Sequence, residues 1–320
     1  MISENKLFIN MKMKQILTLL LAYISVGVLA KENIPNPNIN NVTYNRVAAG
    51  CSPSSSQTDM DVNNVRATIL GGGDMWWNLD EAQYEIPKGG GINSLFAGSL
   101  WIGGVDAGGQ LKVAAMTYRQ RGSDFWPGPL DTTTSSTEPI RCETYDRLWK
   151  ITRSDLEEAK EDPSAATEDI QSWPASINRI TRTGNEARYL APYLDVDGAP
   201  GYNYLNGDHP VLDHRRPANE NGVSAQPDMF IWFVYNDRGN IHSETQGSPM
   251  GLEIQTTAFA YATNDEINNM TFYNYELINR GTQTLYNTYF GFFTDGALGD
   301  PYDDYVGCDV MRGLGYYYNG

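Results

Sequence analysis

Five aspartates crowd the stretch "DGALGDPYDDYVGCD" (295–309): Asp295, Asp300, Asp303, Asp304 and Asp309. Carboxylates gathered on a loop suit a hard divalent cation, since calcium takes roughly six to eight oxygen ligands at about 2.3–2.6 Å. Gly296, Gly299 and Gly307 supply the backbone freedom to curl around an ion. Adjacent Asp303 and Asp304 repel each other unless something cationic lies between them. The plainer account is a solvated acidic loop whose aspartates close Asx turns.

A second stretch, "LDVDGAPGYNYLNGD" (194–208), carries Asp195 and Asp197 at the spacing that opens a D-x-[DN]-x-D-G calcium loop. Ala199 and Pro200 stand where a third early carboxylate is wanted, so Asn203, Asn206 and Asp208 are left as late ligands. Calcium is therefore the expected cofactor, at one or both loops. Trp76, Trp77 and Trp126 sit beside turns in "DMWWN" and "DFWPGP", where indole faces can form a platform for sugar rings. Tryptophans in strand-built proteins also serve as core packing.

Other chemistries find less support. His209, His214 and His242 lack the close helical spacing of a zinc pair, and there is no H-E-x-x-H. No G-x-S-x-G marks a nucleophilic serine. The triple glycines at 71–73 and 89–91 have neither the Lys-Ser/Thr ending nor the following helix of a phosphate cradle, and they read as turns. Glycoside hydrolysis needs only two acids about 5–10 Å apart, so spacing along the chain does not test it.

The elements that must position these residues are mostly strands. Of 320 residues, 41% are hydrophobic, 31 are glycine and 20 are tyrosine, a mixture that favours extended strands joined by tight turns. "SLFAGSLWIGG" (94–104) and "LKVAAMTYRQ" (111–120) read as a hairpin closed by "VDAGGQ". "MFIWFVYND" (229–237) is apolar without a break, as in a strand buried on both faces. "GLEIQTTAFAYA" (251–262) sets Leu252, Ile254 and Thr256 against Glu253 and Gln255. "MTFYNYELIN" (270–279) places Tyr273, Tyr275 and Leu277 on one face, and "RGTQ" then turns the chain into "TLYNTYFGFFT" (284–294). The expected fold is mostly β, an antiparallel β-sandwich with meander connections over residues 63–320.

A small helical insertion is expected over about 140–190, lying across one end of the sandwich. Ser154 as N-cap with Glu157 makes a capping box, Pro163 stops that helix, and Pro174 ends a second one. The N-terminus reads as an address: Lys12 and Lys14 precede the apolar run 16–30, and Val28-Leu29-Ala30 offers a cleavage site. Residues 1–30 are thus a signal peptide, and 31–62, rich in Asn, Pro and Ser, a polar linker. No transmembrane segment is expected beyond the cleaved signal.

"VAAGC" (47–51) has the letters of a lipoprotein box, but Lys31, Glu32 and Arg46 separate it from the apolar run it would have to abut. An exported chain with Cys51, Cys142 and Cys308 can form one disulfide, and the expected pair is Cys142–Cys308. The formal net charge of −16 opposes nucleic acid and anionic membrane surfaces as partners.

The run from "NVRATILGGGDMWWNLDEAQYEIPKGGG" through "CETYDRLWKITRSDLE", "YLAPYLDVDG" and "IWFVYNDRG" to "DDYVGCD" resembles the N-terminal region of large exported proteins of Bacteroidetes-type bacteria, many of which end in a type IX secretion sorting domain. That resemblance implies an extracellular or outer-surface location. It also implies that a chain ending at "GLGYYYNG" is truncated, and that "DTTT" (131–134) is similar to an O-glycan acceptor of those bacteria. The expected function is a non-enzymatic structural or adhesion module, loops stabilised by calcium, meeting other surface proteins or glycans. The alternative is a carbohydrate-binding or glycoside-hydrolysing surface protein.

Overall fold

Side chains along a strand alternate between its two faces, so a strand can be apolar throughout only if both faces are covered. All eight residues of Met229–Asn236 are buried, and the rest of the structure is arranged around that fact. The computed structural model describes residues 50–175, 190–199, 201–212, 226–300 and 302–320. The expected signal peptide (1–30), linker residues 31–49, insertion residues 176–189 and His214 lie outside the described residues.

In chain order the strands begin with β1 (Gln57–Met60), β2 (Arg66–Leu70), β3 (Asp74–Met75), β4 (Tyr84–Glu85), β5 (Asn93–Val105) and β6 (Leu111–Ala114). Next come β7 (Trp126–Pro127), helix α1 (Pro139–Thr144), β8 (Trp149–Thr152) and helices α2 (Arg153–Glu161) and α3 (Glu168–Gln171). The small hairpin β9 (Tyr193–Leu194) and β10 (His209–Pro210) precedes β11 (Met229–Asn236), β12 (Leu252–Ala260) and β13 (Phe272–Asn279). The chain then continues through β14 (Tyr286–Gly296), β15 (Tyr305–Asp309) and β16 (Leu314–Tyr318).

Two antiparallel sheets make the sandwich. The first runs β1-β2-β3-β5-β14, with β4 and β6 also on β5; the second runs β13-β12-β11-β7, with β8 also on β11. Met60, Ile69, Leu100 and Ile102 of the first sheet meet Ile231, Phe233, Ile254 and Ala258 of the second in one core. Tyr273, Tyr275 and Leu277 pack against it from β13, on the shared face expected of them. The fold is mostly β and sandwich-like, as the strand pattern implies.

The helical insertion lies elsewhere than expected. It covers the outer face of the second sheet rather than one end, and it adds β8 to that sheet, with Trp149 opposite Trp232 and Ile151 opposite Phe230. Phe230, Trp232 and Val234 therefore enter a second core with Leu156, Ile170, Trp173 and Tyr202. Trp232 touches Trp149 and Trp173 at ring-centroid distances of 5.7 and 6.0 Å. The capping box is also shifted by two residues: Thr152 accepts from the Asp155 amide at 3.2 Å, and Asp155 accepts from the Thr152 amide at 3.0 Å. β8 ends at Thr152, so the helix starts as soon as that strand releases the chain.

The connection after β13 is a further departure. β14 does not fold back on β13; it crosses to the first sheet and pairs with β5 from Tyr286↔Val105 to Gly296↔Leu95. β5 is long enough to offer a free edge over nearly its whole length, and Phe293 gains a stacked contact with Trp101 there (5.3 Å). Among the described residues β14 has no second partner strand, and Tyr289 and Phe290 are exposed.

The segment expected as linker joins the fold from residue 50 onward. Met60 is completely buried, and Asp146 accepts hydrogen bonds from the Ser55 and Ser56 amides at 2.9 and 3.2 Å. The disulfide is Cys51–Cys142, with Cα atoms 5.9 Å apart, which corrects the expected Cys142–Cys308 pair. Cys308 is free and exposed on β15, whereas Cys51 and Cys142 share a small cluster with Trp126. With its sulfur in that bond, Cys51 has no thiol for a lipid thioether.

The glycine triplet 71–73 is packed as well as turned. Gly73 has φ +92°, and a Cβ there would lie 2.5 Å from the Tyr235 ring. Tyr235 is itself fixed in β11, so the ring has no room to withdraw.

The Cys51–Cys142 bond closes a loop spanning 91 positions. Replacing both cysteines with alanine is expected to cost about 4–5 kcal/mol in guanidinium unfolding, by loop-closure entropy. An alkylating agent should label Cys308 in the native protein and the other two only after reduction.

Glu85 makes a second prediction. The Arg66 guanidinium at 2.9 Å holds its carboxyl down to about 2 from an ordinary 4.5, helped by the Gly91 and Gly89 amides. A lowered folded value means stability that is present above about pH 4.5 and lost as pH falls towards 2. Glu85→Gln should lower the melting temperature at pH 7, and its deficit relative to wild type should vanish by about pH 2.

Candidate functional site

The loop 195–208 is held at its base by the antiparallel pair β9–β10, with Leu194 opposite His209. Asp195 and Asp197 turn the chain outward: Asp195 Oδ1 accepts from the Gly198 amide at 2.7 Å, and Asp197 Oδ1 accepts from the Ala199 amide at 2.8 Å. Gly207, in the left-handed region at φ +96°, turns it back towards Asp208. Asp208 is buried, and its two oxygens accept from the Val196 amide (2.9 Å) and the Asn203 amide (2.8 Å). It therefore ties the outgoing and returning limbs together.

One oxygen from each of Asp195, Asp197 and Asp208 lies within 4.8 Å of the others. Oxygens bound to a single ion at about 2.3–2.6 Å cannot be much more than about 5 Å apart, so this triad could hold a metal ion. The Ala199 amide and then the Asn206 side chain hold the Asp197 carboxyl below its ordinary range, which keeps it charged. The two asparagines expected as late ligands have other duties. Asn203 Oδ1 caps the short turn 204–206 by accepting from the Leu205 amide at 3.2 Å, and Asn206 donates to Asp197.

The 295–309 loop does not gather its carboxylates. Among the described residues, the triad above is the one group of three or more metal-ligating side chains brought together. Asp295 accepts from the Tyr118 hydroxyl at 2.6 Å, Asp300 from the Tyr302 amide at 3.1 Å and Asp304 from the Leu298 amide at 2.9 Å. Asp309 pairs with Arg312 at 2.6 Å, and Asp303 is exposed. Asx turns and a local ion pair occupy these carboxylates, so the expected cluster of calcium ligands is not assembled at this loop among the described residues.

The tryptophan platform is also corrected. Trp76, Trp77 and Trp126 have only 6%, 4% and 2% of their surface exposed. Trp76 packs edge-on against Tyr84 and donates its indole N–H to the Tyr273 hydroxyl at 2.8 Å. Trp77 donates to Asp74, and Trp126 lies beside His242 with ring centroids 5.8 Å apart. Trp101 is the tryptophan at 39% exposure, stacked on Phe293. Residues on strand-flanking turns look alike in sequence, and only the sheet packing separates them. His209 and His242 are both buried, each with backbone carbonyl partners.

Sequence reading also missed a buried ion pair. Arg119 meets Asp74 through Nε (2.9 Å) and Nη2 (2.6 Å), and its Nη1 donates to the Ser54 carbonyl at 2.8 Å. This fork ties the segment after β6 to β3. Asp74 is wholly buried, and removing its partner would leave an uncompensated carboxylate inside the protein.

Comparison of the chain with known protein families, with characterised proteins and with solved structures finds no match. Among the described residues, no helix is long and apolar enough to cross a membrane.

If Trp76 is core rather than platform, Trp76→Ala should destabilise the protein by about 3–5 kcal/mol in denaturant titration, while Trp101→Ala should cost about 1 kcal/mol.

Proposed function

We propose that this chain is a non-enzymatic, exported β-sandwich module of a secreted or cell-surface protein, whose loop 195–208 binds calcium. The observation that carries the reading is the convergence of Asp195, Asp197 and Asp208 on one closed loop, with the third carboxylate buried beneath the first two. Oxygen-only ligands, two of them exposed, suit calcium better than softer or more rigidly coordinated metals. The ion's role is structural. Without it, three carboxylates repel one another across less than 5 Å; with it, β9 and β10 are held at a fixed separation.

Export is supported by the Cys51–Cys142 disulfide, a bond that persists in oxidising compartments. It is supported too by the signal-like N-terminus and by the resemblance to type IX-exported surface proteins. Adhesion to other surface proteins or glycans is the corresponding biological role.

A melt in calcium at about a hundredfold excess over Kd should rise by about 5 °C relative to chelator, as expected for a ligand that binds only the folded state. Asp208→Asn should abolish that rise, and magnesium should give a smaller one. Equal melting with calcium and with chelator overturns the reading.

A further inference from the structure

The outer face of the first sheet carries a cleft that no part of the calcium reading uses. Four separate stretches of chain build it: Trp77 and Asp80 after β3, Phe96 on β5, Tyr118 and Gln120 beyond β6, and Asp295 on β14. Its volume is ≈ 420 Å³, within the usual size of small-ligand sites. The rings form a corner: Tyr118 meets Trp77 at 83° with centroids 6.3 Å apart, and Phe96 at 74° and 5.8 Å. Both charged side chains lining the cleft, Asp80 and Asp295, are acids, and no lysine or arginine joins them among the described residues.

Three residues bordering or supporting the cleft have left-handed backbones without being glycine: Trp76 (φ 73°), Leu79 (φ 76°) and Arg119 (φ 50°). Such conformations are costly for branched and bulky side chains, and they persist only where surrounding contacts impose them. Here the Asp74–Arg119 fork, with Trp77 on the same carboxylate, holds two of the four stretches in place. The cleft is thus a fixed shape assembled from distant parts of the chain. Burial first, and the Asp295 carboxylate second, push the Tyr118 phenol above its ordinary range, so the ring remains neutral.

We propose that this cleft binds an organic ammonium cation. Aromatic faces attract such ions through the ring quadrupole, most strongly when a carboxylate is close by and water is partly excluded. Asp295 has one oxygen committed to Tyr118 and no other hydrogen-bond partner among the described residues, while Asp80 is exposed at the rim. A sugar ring fits less well, because it stacks on a broad open indole face and Trp77 is only 4% exposed, whereas a compact cation needs only the half-buried Phe96 and Tyr118 rings. The ammonium group can come from a small quaternary amine or from a lysine side chain on a partner protein; the chemistry recognised is the same.

The test titrates the full chain, monitored by NMR, with choline, with Nα-acetyl-lysine methylamide, and with 3,3-dimethylbutan-1-ol, the uncharged isostere of choline. At least one cation should bind tenfold or more tightly than the neutral alcohol, and which of the two binds better identifies the source. Asp295→Asn should weaken that binding at least fivefold while leaving the calcium-dependent melting shift unchanged. Equal binding of choline and the alcohol, preference for methyl glucoside over both cations, or no binding by any probe overturns the proposal. Should Asp295→Asn fail to fold, the cation-to-alcohol ratio on the wild-type chain decides alone.

Discussion

Everything in this fold is organised by the requirement that β11 be covered on both sides. Ile231, Phe233 and Tyr235 point to the first sheet, and Phe230, Trp232 and Val234 point to the helical insertion. Neither layer is optional. Without the first sheet, β11 would present three large side chains to water; without the insertion, it would present another three. Burying an apolar side chain of that size is worth about 1.5–3 kcal/mol, so each layer depends on β11 for a large part of its reason to dock.

The same constraint fixes the polar residues that share the sheet. β12 alternates as an amphipathic strand should, yet Glu253 and Gln255 on its other face are buried too. Glu253 is matched by Arg280 at 2.9 Å and by the Leu130 amide at 3.0 Å, so a charge stands inside the protein with its partners supplied by two loops. Asp74 with Arg119 repeats the arrangement in the first sheet. Buried acids here act as ties between segments remote in sequence, since removing either partner would strand a charge in a medium that cannot solvate it.

Much of this was legible beforehand, and the exceptions have physical causes. The unbroken apolar run of β11 announced double burial, and Asp195 and Asp197 announced the loop at which three carboxylates meet. Residues 50–62 looked like linker because they hold few large apolar groups; their order comes instead from a disulfide and from serine hydrogen bonds to Asp146, neither of which leaves a periodic pattern. Ser154-x-x-Glu157 and Thr152-x-x-Asp155 are both capping signatures, and the end of β8 decides between them. The path of β14 could not be read locally, because a short polar turn serves a crossing between sheets as well as a hairpin. The tryptophans misled for the opposite reason: their type is informative, but burial depends on neighbours far away along the chain.

One consequence follows from the bond between Cys51 and Cys142. The turn at Lys88–Gly91 is exposed and lies inside the ring that this bond closes. A protease cutting after Lys88 would sever the backbone yet release nothing, since both fragments stay covalently attached through sulfur. Wherever peptidases are common and reductants scarce, a nicked molecule would keep its two pieces together.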